Sequence, residues 1–356
     1  MLTIDCRMAD HSGIGTYIKN LVPRLASRLT SLSLTLMGAP DSLRRLLVEY
    51  GATNVSFLPF DEPIYSIREQ LTLPFAIPRS TKLFWAPHYN IPALYPGRIL
   101  TTVHDICHLA IKDVHASPLV RMYAALMFRA VRRRSIKIVT VSEFTKSELV
   151  SKLGYDPQAV QVIWNGVDDV WRRSRIADGY REPYLVYVGN IKPHKNLKRL
   201  VKAFQRISRQ IPHKLLLVGR YDGFVSGFQD LDELMPCDRI ELAGELDQDD
   251  LIRTVAGASA LIMPSLYEGF GLPAAEAMSC GCPVLAANAT SLPEVCGKAA
   301  FYFDPYSVDD MAGTILDFVR DEGGQARLKA EGYRQAESFD WSRAADQLCN
   351  LVTDII

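Results

Sequence analysis

The sequence has little of several features that mark whole classes of protein. Basic and acidic residues balance at 40 each, and a formal net charge of zero argues against a dedicated nucleic-acid binder. No run of 18 apolar residues occurs, so no membrane-spanning segment is expected. Residues 1–7 contain an acid and a base and no apolar core, which is unlike a secretory signal peptide.

The seven cysteines are scattered and odd in number. This usage favours reduced thiols in a cytoplasmic protein over a disulfide framework. Cys280 and Cys282 are too close together for a zinc knuckle and have no second pair, so we interpret them as small buried side chains.

Two domains are the natural expectation for 356 residues, because one core rarely serves a chain of that length. Short apolar segments alternate with helical or looped segments in two series, which predicts an α/β protein with two parallel sheets. The first series of expected strands is 2–6, 34–37, 55–58, 83–86, 99–103 and 138–141. The second series is 184–189, 215–218, 240–242, 260–263, 284–286 and 300–303.

The stretch 265–279 follows an expected buried strand and carries Glu268 and Glu276 with seven residues between them. Gly269, Phe270, Gly271 and Leu272 lie between the acids, and Pro273 opens a helix. A strand, a glycine loop and a helix N-terminus form an anion site. Carboxylates beside it are suited to accept hydrogen bonds from hydroxyls, so the pattern indicates a nucleotide sugar.

This E-x7-E pattern with G-F-G-L-P inside it resembles the signature of the retaining glycosyltransferases of family GT4. The resemblance implies the GT-B fold, with two Rossmann-like domains facing a central cleft. It also implies that Glu268 contacts the donor sugar, that Glu276 holds the ribose, and that residues 269–272 surround the donor. The alternative for the acids alone is a βα turn with carboxylates near a helix dipole.

Near the start, Gly13 and Gly15 indicate a loop where backbone approaches a ligand. A dinucleotide fingerprint would need a third glycine where Ile18 stands, so a dehydrogenase is not favoured. In the family, glycines here lie beside the donor phosphates. Asp5 and Arg7 ahead of G-I-G resemble a subgroup that includes O-antigen mannosyltransferases, which favours GDP-mannose as donor.

His104 ends an expected strand and matches the family's H-D motif, which implies a contact with the transferred sugar. Lys195 follows a strand and matches the lysine that holds the diphosphate. The family arginine is absent because Asn190 stands in its place, and Lys192 or Arg220 could replace it. The backbone near Leu246 corresponds to the segment that meets the base.

No metal requirement is expected. Asp230-Leu-Asp232 and Asp247-Gln-Asp249 match the manganese motif of another glycosyltransferase class, but neither has its context. Asp247 with Asp250 is typical of a helix N-cap and its capping-box partner, and no histidine or cysteine ligands accompany either pair.

Residues 117–134 form an apolar segment with four arginines among its last six residues. One interpretation is a helix on a membrane surface that meets anionic headgroups. The other is a core helix whose cations complement its C-terminal dipole. Both remain open from the sequence.

The expected domains are 1–168, a hinge at 169–182, 183–338, and a last helix at 339–356 that returns to the first domain, as in the family. The implied function is metal-independent transfer of a hexose, with retention, to a saccharide or lipid-linked saccharide acceptor in polysaccharide or lipopolysaccharide synthesis. Cytoplasmic location with peripheral membrane contact fits that role. Alternatives are a UDP-glucose or UDP-N-acetylglucosamine transferase of the same family, a GT-B nucleotide-sugar epimerase, and an inactive sugar-nucleotide-binding subunit.

Overall fold

The computed structural model describes residues 1–111, 118–174, 182–220 and 238–356. These residues divide into two compact units. The first holds Met1–Ala110, the described part of Ala116–Gly166, and Asp340–Ile356. The second holds Ile111 and the described part of Val167–Phe339. Residues 175–181 of the expected hinge lie outside the described residues.

The first unit is built on a sheet of seven parallel strands in the order β3-β2-β1-β4-β5-β6-β7. The strands are β1 Leu2–Asp5, β2 Leu34–Gly38, β3 Val55–Pro59, β4 Leu83–Ala86, β5 Ile99–Val103, β6 Ser135–Thr140 and β7 Val160–Val162. Its first six helices are α1 Ile14–Arg28, α2 Pro40–Leu47, α3 Ile67–Ala76, α4 Cys107–Ala110, α5 Pro118–Arg134 and α6 Glu143–Leu153. Short 3₁₀ helices occupy Val48–Tyr50 and Pro157–Ala159.

The second unit has a six-stranded parallel sheet in the order β10-β9-β8-β11-β12-β13 among the residues described. The strands are β8 Tyr184–Val188, β9 Lys214–Val218, β10 Ile240–Gly244, β11 Ala260–Met263, β12 Val284–Ala287 and β13 Ala300–Phe303. The helices are α7 Asp169–Arg173, α8 Leu197–Ile207, α9 Gln248–Ala256, α10 Leu272–Cys280, α11 Leu292–Cys296, α12 Val308–Arg320 and α13 Glu322–Ala336. A 3₁₀ helix occupies Pro193–Lys195.

The strands follow from their composition, because parallel strands covered on both faces require continuous apolar runs. All residues of β1, β4, β5, β11 and β12 are buried. The expected α/β architecture with two Rossmann-like parallel sheets is confirmed. In each unit the strand order reverses once, at β1/β4 and at β8/β11, and ligands of such sheets bind at the carboxyl ends of the strands beside that point.

The last helix, α14 Trp341–Ile355, belongs to the first unit and packs on α1. Asp340 caps it by accepting a hydrogen bond from the amide of Ser342 at 2.6 Å. A Cβ at Gly166 would lie 2.1 Å from the amide nitrogen of Trp341, so only glycine lets the helix start so close. Arg28 adds an ion pair with Asp346.

Along the described ranges, no helix combines the length and the apolar character that crossing a bilayer requires.

Candidate functional site

The second unit places two predicted site residues together where its strand order reverses. Lys195 comes from the loop after β8, and Glu268 comes from the loop after β11, the neighbouring strand. The Lys195 Nζ atom lies 2.7 Å from Oε1 and 2.9 Å from Oε2 of Glu268. Side-chain exposures of 20% and 10% leave this ion pair accessible at one side.

The Glu268 carboxylate is charged at neutral pH. Burial acts to raise the pKa of Glu268, but the Lys195 charge and its hydrogen bonds outweigh burial, so the pKa lies below its ordinary value. The Ser265 hydroxyl donates a further hydrogen bond to Oε1 at 2.7 Å. An ionised carboxylate only accepts hydrogen bonds, which suits it to sugar hydroxyls.

Polar side chains fix the backbone on both sides of this pair. The Glu268 amide donates to Thr290 Oγ1 at 3.1 Å, and the Glu268 carbonyl accepts from the Ser291 hydroxyl at 3.0 Å. Next to Lys195, the Asn196 side-chain amide donates to the carbonyls of Pro264 and Pro305. The pair is therefore held by loops from several strands. Sequence reasoning missed Thr290, Ser291 and Asn196 because their partners are distant in the chain, and it gave Ser265 no role although its partner Glu268 is only three residues away.

Glycine lets the loops after β8 and β9 approach each other. A Cβ on Gly219 would lie 2.1 Å from the carbonyl oxygen of Gly189, so any side chain there would collide with backbone. The Gly189 amide also donates to the carbonyl of Val218 at 2.9 Å. The loop that carries Lys195 thus begins at a fixed position.

The glycine loop ends at the N-terminus of α10. Gly271 caps this helix with φ 93°, a left-handed conformation that favours glycine, and a Cβ there would lie 2.7 Å from the Leu292 side chain. The amides of Phe270 and Gly271 have no acceptor among the residues that the structure describes. The Phe270 ring itself is buried edge-on against Phe339, with centroids 5.3 Å apart, so only its backbone is suited to meet a ligand.

Glu276 lies one turn into α10 and is half-buried. Burial, and then the charge of Asp168, raise the pKa of Glu276 to about 8. No described residue forms a hydrogen bond with its carboxyl group. An acceptor that lacks donors near an anion site is suited to bind hydroxyls, as the ribose role requires.

The remaining candidates of the second unit are more exposed. Arg220 Nε donates to Glu245 Oε2 at 2.7 Å, and both side chains are largely in solvent. Leu246 is half-exposed just beyond Gly244, whose carbonyl accepts from the Gly219 amide at 2.8 Å. Arg199, which the sequence did not single out, donates to Asn196 Oδ1 at 2.9 Å and adds a cation near the Lys195 loop.

In the first unit, His104 follows β5 with its ring held in one orientation. Its Nε2 donates to the carbonyl of Pro87 at 2.9 Å, since a carbonyl can only accept. Burial lowers the pKa of His104, so the ring is neutral at pH 7 and Nδ1 is its acceptor. Asp105 Oδ1 accepts from the amide of Cys107 at 2.8 Å and so begins α4.

Tyr17 joins His104 to the helix that Gly13 begins. The Tyr17 ring is buried on α1 and edge-on to the imidazole, with centroids 4.8 Å apart. Gly13 caps α1 with φ 76°, and a Cβ there would meet open space. At Gly15, in the first turn of α1, a Cβ would lie 2.5 Å from the carbonyl oxygen of Ala9, so glycine is required for the preceding loop to pack against the helix.

At the reversal point of the first unit, Arg7 is buried between two carboxylates. Its guanidinium lies 2.6 Å from Asp5 Oδ2 and 2.6 Å from Glu69 Oε1. Asp5 also lies 3.3 Å from His88 Nε2, and Glu69 accepts from the Asn90 amide at 2.8 Å. Burial acts to raise the pKa of Asp5, but Arg7 outweighs it and holds the pKa well below its ordinary value.

Metal ligands were not expected, and the described ranges contain no group of three or more histidine, cysteine or acidic side chains that could hold a metal ion. Asp247 caps α9 by accepting from the Asp250 amide at 2.8 Å, as expected. The Asp250 carboxylate pairs with Arg253 and does not complete a capping box. The expected motif at Asp230 and Asp232 lies outside the described residues.

Two family models match the chain in succession. Glycosyltransferase Family 4 matches residues 11–171, and Glycosyl transferases group 1 matches residues 173–335. Among curated proteins, the O-antigen chain mannosyltransferase B of Escherichia coli is 29% identical over 286 residues, which are 75% of this chain and 73% of that protein. The serotype-specific mannosyltransferase WbdA of Escherichia coli is 31% identical over 177 residues, 48% of this chain and 22% of that protein.

Solved structures agree on the fold. The crystal structure of HepE from Anabaena in complex with UDP and glucose has a TM-score of 0.74, with 99% of both chains covered. The sequence identity is 17%, so this likeness concerns the fold alone.

Proposed function

Because this chain is a glycosyltransferase of family 4 with the GT-B fold, we propose that it transfers mannose from GDP-mannose to a saccharide acceptor. The accessible Lys195–Glu268 pair beside the α10 N-terminus carries the proposal, because it offers a cation, bare amides and a hydroxyl acceptor together. The choice of mannose follows the two mannosyltransferase relatives. The acceptor is proposed to be a saccharide carried on a lipid, in polysaccharide or lipopolysaccharide synthesis.

In the proposed reaction the bond from the mannose anomeric carbon to the diphosphate breaks while the acceptor hydroxyl attacks from the same face. The leaving phosphate takes the proton of the acceptor. Lys195 and the amides of Phe270 and Gly271 stabilise the charge that develops on the diphosphate, and such preorganised groups are a large source of rate enhancement. No protein carboxylate is needed as a covalent nucleophile, and no metal is part of the scheme.

The other groups have positioning roles in this proposal. Glu268 accepts hydrogen bonds from hydroxyls of the mannose, and Glu276 accepts them from the ribose. Neutral His104 offers Nδ1 as an acceptor to the transferred sugar. Gly13 ends the loop before α1, and Gly15 lets that loop pack against the helix. Leu246 is proposed to lie near the base, and Arg220 is a candidate cation for the diphosphate.

Calorimetric titration of the metal-free protein with GDP, UDP and ADP tests the donor first. GDP is expected to bind tightest, and GDP-mannose is expected to bind better than UDP-glucose or UDP-N-acetylglucosamine. Preference for UDP would overturn the choice of donor, and absence of binding to any nucleotide would leave only the fold assignment.

Incubation of the protein with GDP-mannose and soluble mannosides tests the reaction itself. A new α-mannosidic product, seen only with acceptor present, is expected. Release of GDP with an altered free sugar and no need for acceptor would favour an epimerase.

A further inference from the structure

Two helices of the first unit carry apolar side chains on their outer faces. Ile67, Leu71 and Phe75 are spaced four residues apart along α3, and Leu119, Met122 and Leu126 recur at three and four residues along α5. Such spacings place each set in one stripe on its helix. We call these six residues the apolar patch; they are between 56% and 87% exposed.

The two helices are connected by side chains beside their stripes. Tyr65, just before α3, lies edge-on to Tyr123 of α5, with ring centroids 6.3 Å apart. The Tyr123 hydroxyl also donates to Asn90 Oδ1, and the Asn90 side-chain amide donates to Glu69 of α3. These contacts connect α3 and the residue before it to α5, so both stripes belong to one connected part of the first unit.

Each of the two helices buries a different face, opposite its apolar stripe. The opposite side of α3 is fixed by Glu69, which is fully buried and bound to Arg7 and Asn90. The opposite side of α5 buries Met127, Phe128 and Val131. Each helix already has a buried face, so the exposed stripe is a second apolar face and not a misplaced core.

The charge of α5 identifies the partner. The helix contains five arginines and no acidic residue. Arg132, which is also exposed, and Arg134 donate to the carbonyls of Leu153 and Tyr95. Arg129 and Arg133 are exposed and continue the line of Leu119, Met122 and Leu126. An apolar surface that continues into exposed arginines complements a bilayer with anionic headgroups.

We propose that the apolar patch docks the first unit on an anionic membrane surface, with its apolar side chains inserted and Arg129 and Arg133 at the headgroups. The sequence left a membrane helix and a core helix open for this segment, and the structure assigns α5 a buried face and an outer face. The docking surface includes α3, which the sequence did not suggest. The inference rests on the proposed function in one respect: the proposed acceptor is linked to a lipid, and a lipid-linked acceptor lies at a membrane surface.

Co-sedimentation with vesicles tests the proposal. The full chain is mixed with vesicles of phosphatidylcholine, with and without phosphatidylglycerol, and no nucleotide is added. Binding to the anionic vesicles is expected. Leu71→Gln with Phe75→Gln, and separately Met122→Gln with Leu126→Gln, should each lower the partition coefficient by about tenfold or more.

Two further variants sharpen this test. Arg129→Gln with Arg133→Gln should abolish the preference for anionic vesicles, and high salt should do the same to the unaltered protein. Val48→Gln is the matched control, because Val48 is 76% exposed in the same unit but lies outside the patch. It should bind vesicles like the unaltered protein.

Failure of the unaltered protein to bind vesicles, or equal binding by the patch variants, would overturn the proposal. A concentration-dependent dimer that the patch variants dissociate, without vesicle binding, would instead make the patch a contact between copies of the chain. GDP titration of every variant separates the two proposals: the patch variants should bind GDP normally, and loss of GDP binding by all proteins would contradict only the proposed function.

Discussion

The two reversal points have the same topology and opposite chemistry. In the first unit, Asp5, Arg7 and Glu69 are buried and satisfy one another. In the second unit, Lys195 and Glu268 pair at the edge of a glycine loop and remain partly exposed. The first cluster holds the ends of the strands and α3 in place, whereas the second keeps its charges within reach of a ligand.

The difference shows that the strand order determines where a ligand site can lie, whereas the residues at that point determine whether a ligand can bind there. Gly189, Gly219 and Gly271 let the backbone of the second unit come close, and the amides of Phe270 and Gly271 have no acceptor among the described residues. In the first unit the same place is occupied by side chains from β1, α3 and the loop after β4. The following predictions test this contrast, from the largest expected effect to the smallest.

Replacing Glu268 with glutamine should have the largest effect. The substitution keeps the shape but removes the charge that pairs with Lys195, so kcat/KM for mannose transfer should fall by about 10²–10³-fold. Steady-state kinetics measure this, and circular dichroism at the assay temperature checks that the variant is folded. Asp317→Asn, an exposed carboxylate of α12, is the control, and transfer by Glu268→Gln at the unaltered rate would remove Glu268 from the site.

Arg7→Met should mainly affect stability. It leaves Asp5 and Glu69 buried without their cation, which costs about 3–5 kcal/mol of unfolding free energy. Urea unfolding followed by circular dichroism measures the loss. Arg45→Met, an exposed arginine of α2, should be neutral, and equal stability of the two variants would mean that the buried cluster does not support the fold.

Glu276 should make stability depend on pH. Its pKa of about 8 lies above the value of an unfolded chain, so the folded state holds more protons between about pH 4.5 and 8. The unfolding free energy should therefore fall as pH rises through that window. Glu276→Gln should flatten this part of the profile, and a slope identical to that of the unaltered protein would show that Glu276 titrates normally.

Arg220→Gln should have the smallest effect. Its ion pair with Glu245 is exposed, so the unfolding temperature should not change measurably. If Arg220 attracts the diphosphate only through solvent, GDP affinity should fall a few-fold, which is less than the loss expected for Lys195→Met. A larger loss in Arg220→Gln than in Lys195→Met, measured by calorimetry, would reverse the roles of the two cations.

Much of the fold was predictable from the sequence because buried parallel strands are short apolar runs. The strand at 260–263 was predicted with its observed bounds, and the expected 99–103 was also correct. The family prediction is confirmed by the matching models. Gly269, Gly271 and Pro273 were recognisable in the sequence because glycine and proline between a strand and a helix usually mark a turn or a helix start.

Contacts between distant residues were not predictable. Lys195 and Glu268 are 73 positions apart, and no local pattern indicates that they pair. Arg7 was noticed for its spacing to Asp5, but its second carboxylate, Glu69, lies 62 positions away. The apolar patch does have a local pattern, but that pattern was misleading. Periodic apolar residues on a helix normally predict its buried face.

The position of α14 has a consequence for how the protein is made. The described residues between 167 and 339 all belong to the second unit, whereas the first unit needs residues 340–356 to cover α1 and Gly166. A ribosome delivers the chain from its N-terminus, so the second unit can complete its fold before the first. The domain that is synthesised first is therefore finished last, and until then the apolar side of α1 is a natural target for chaperones.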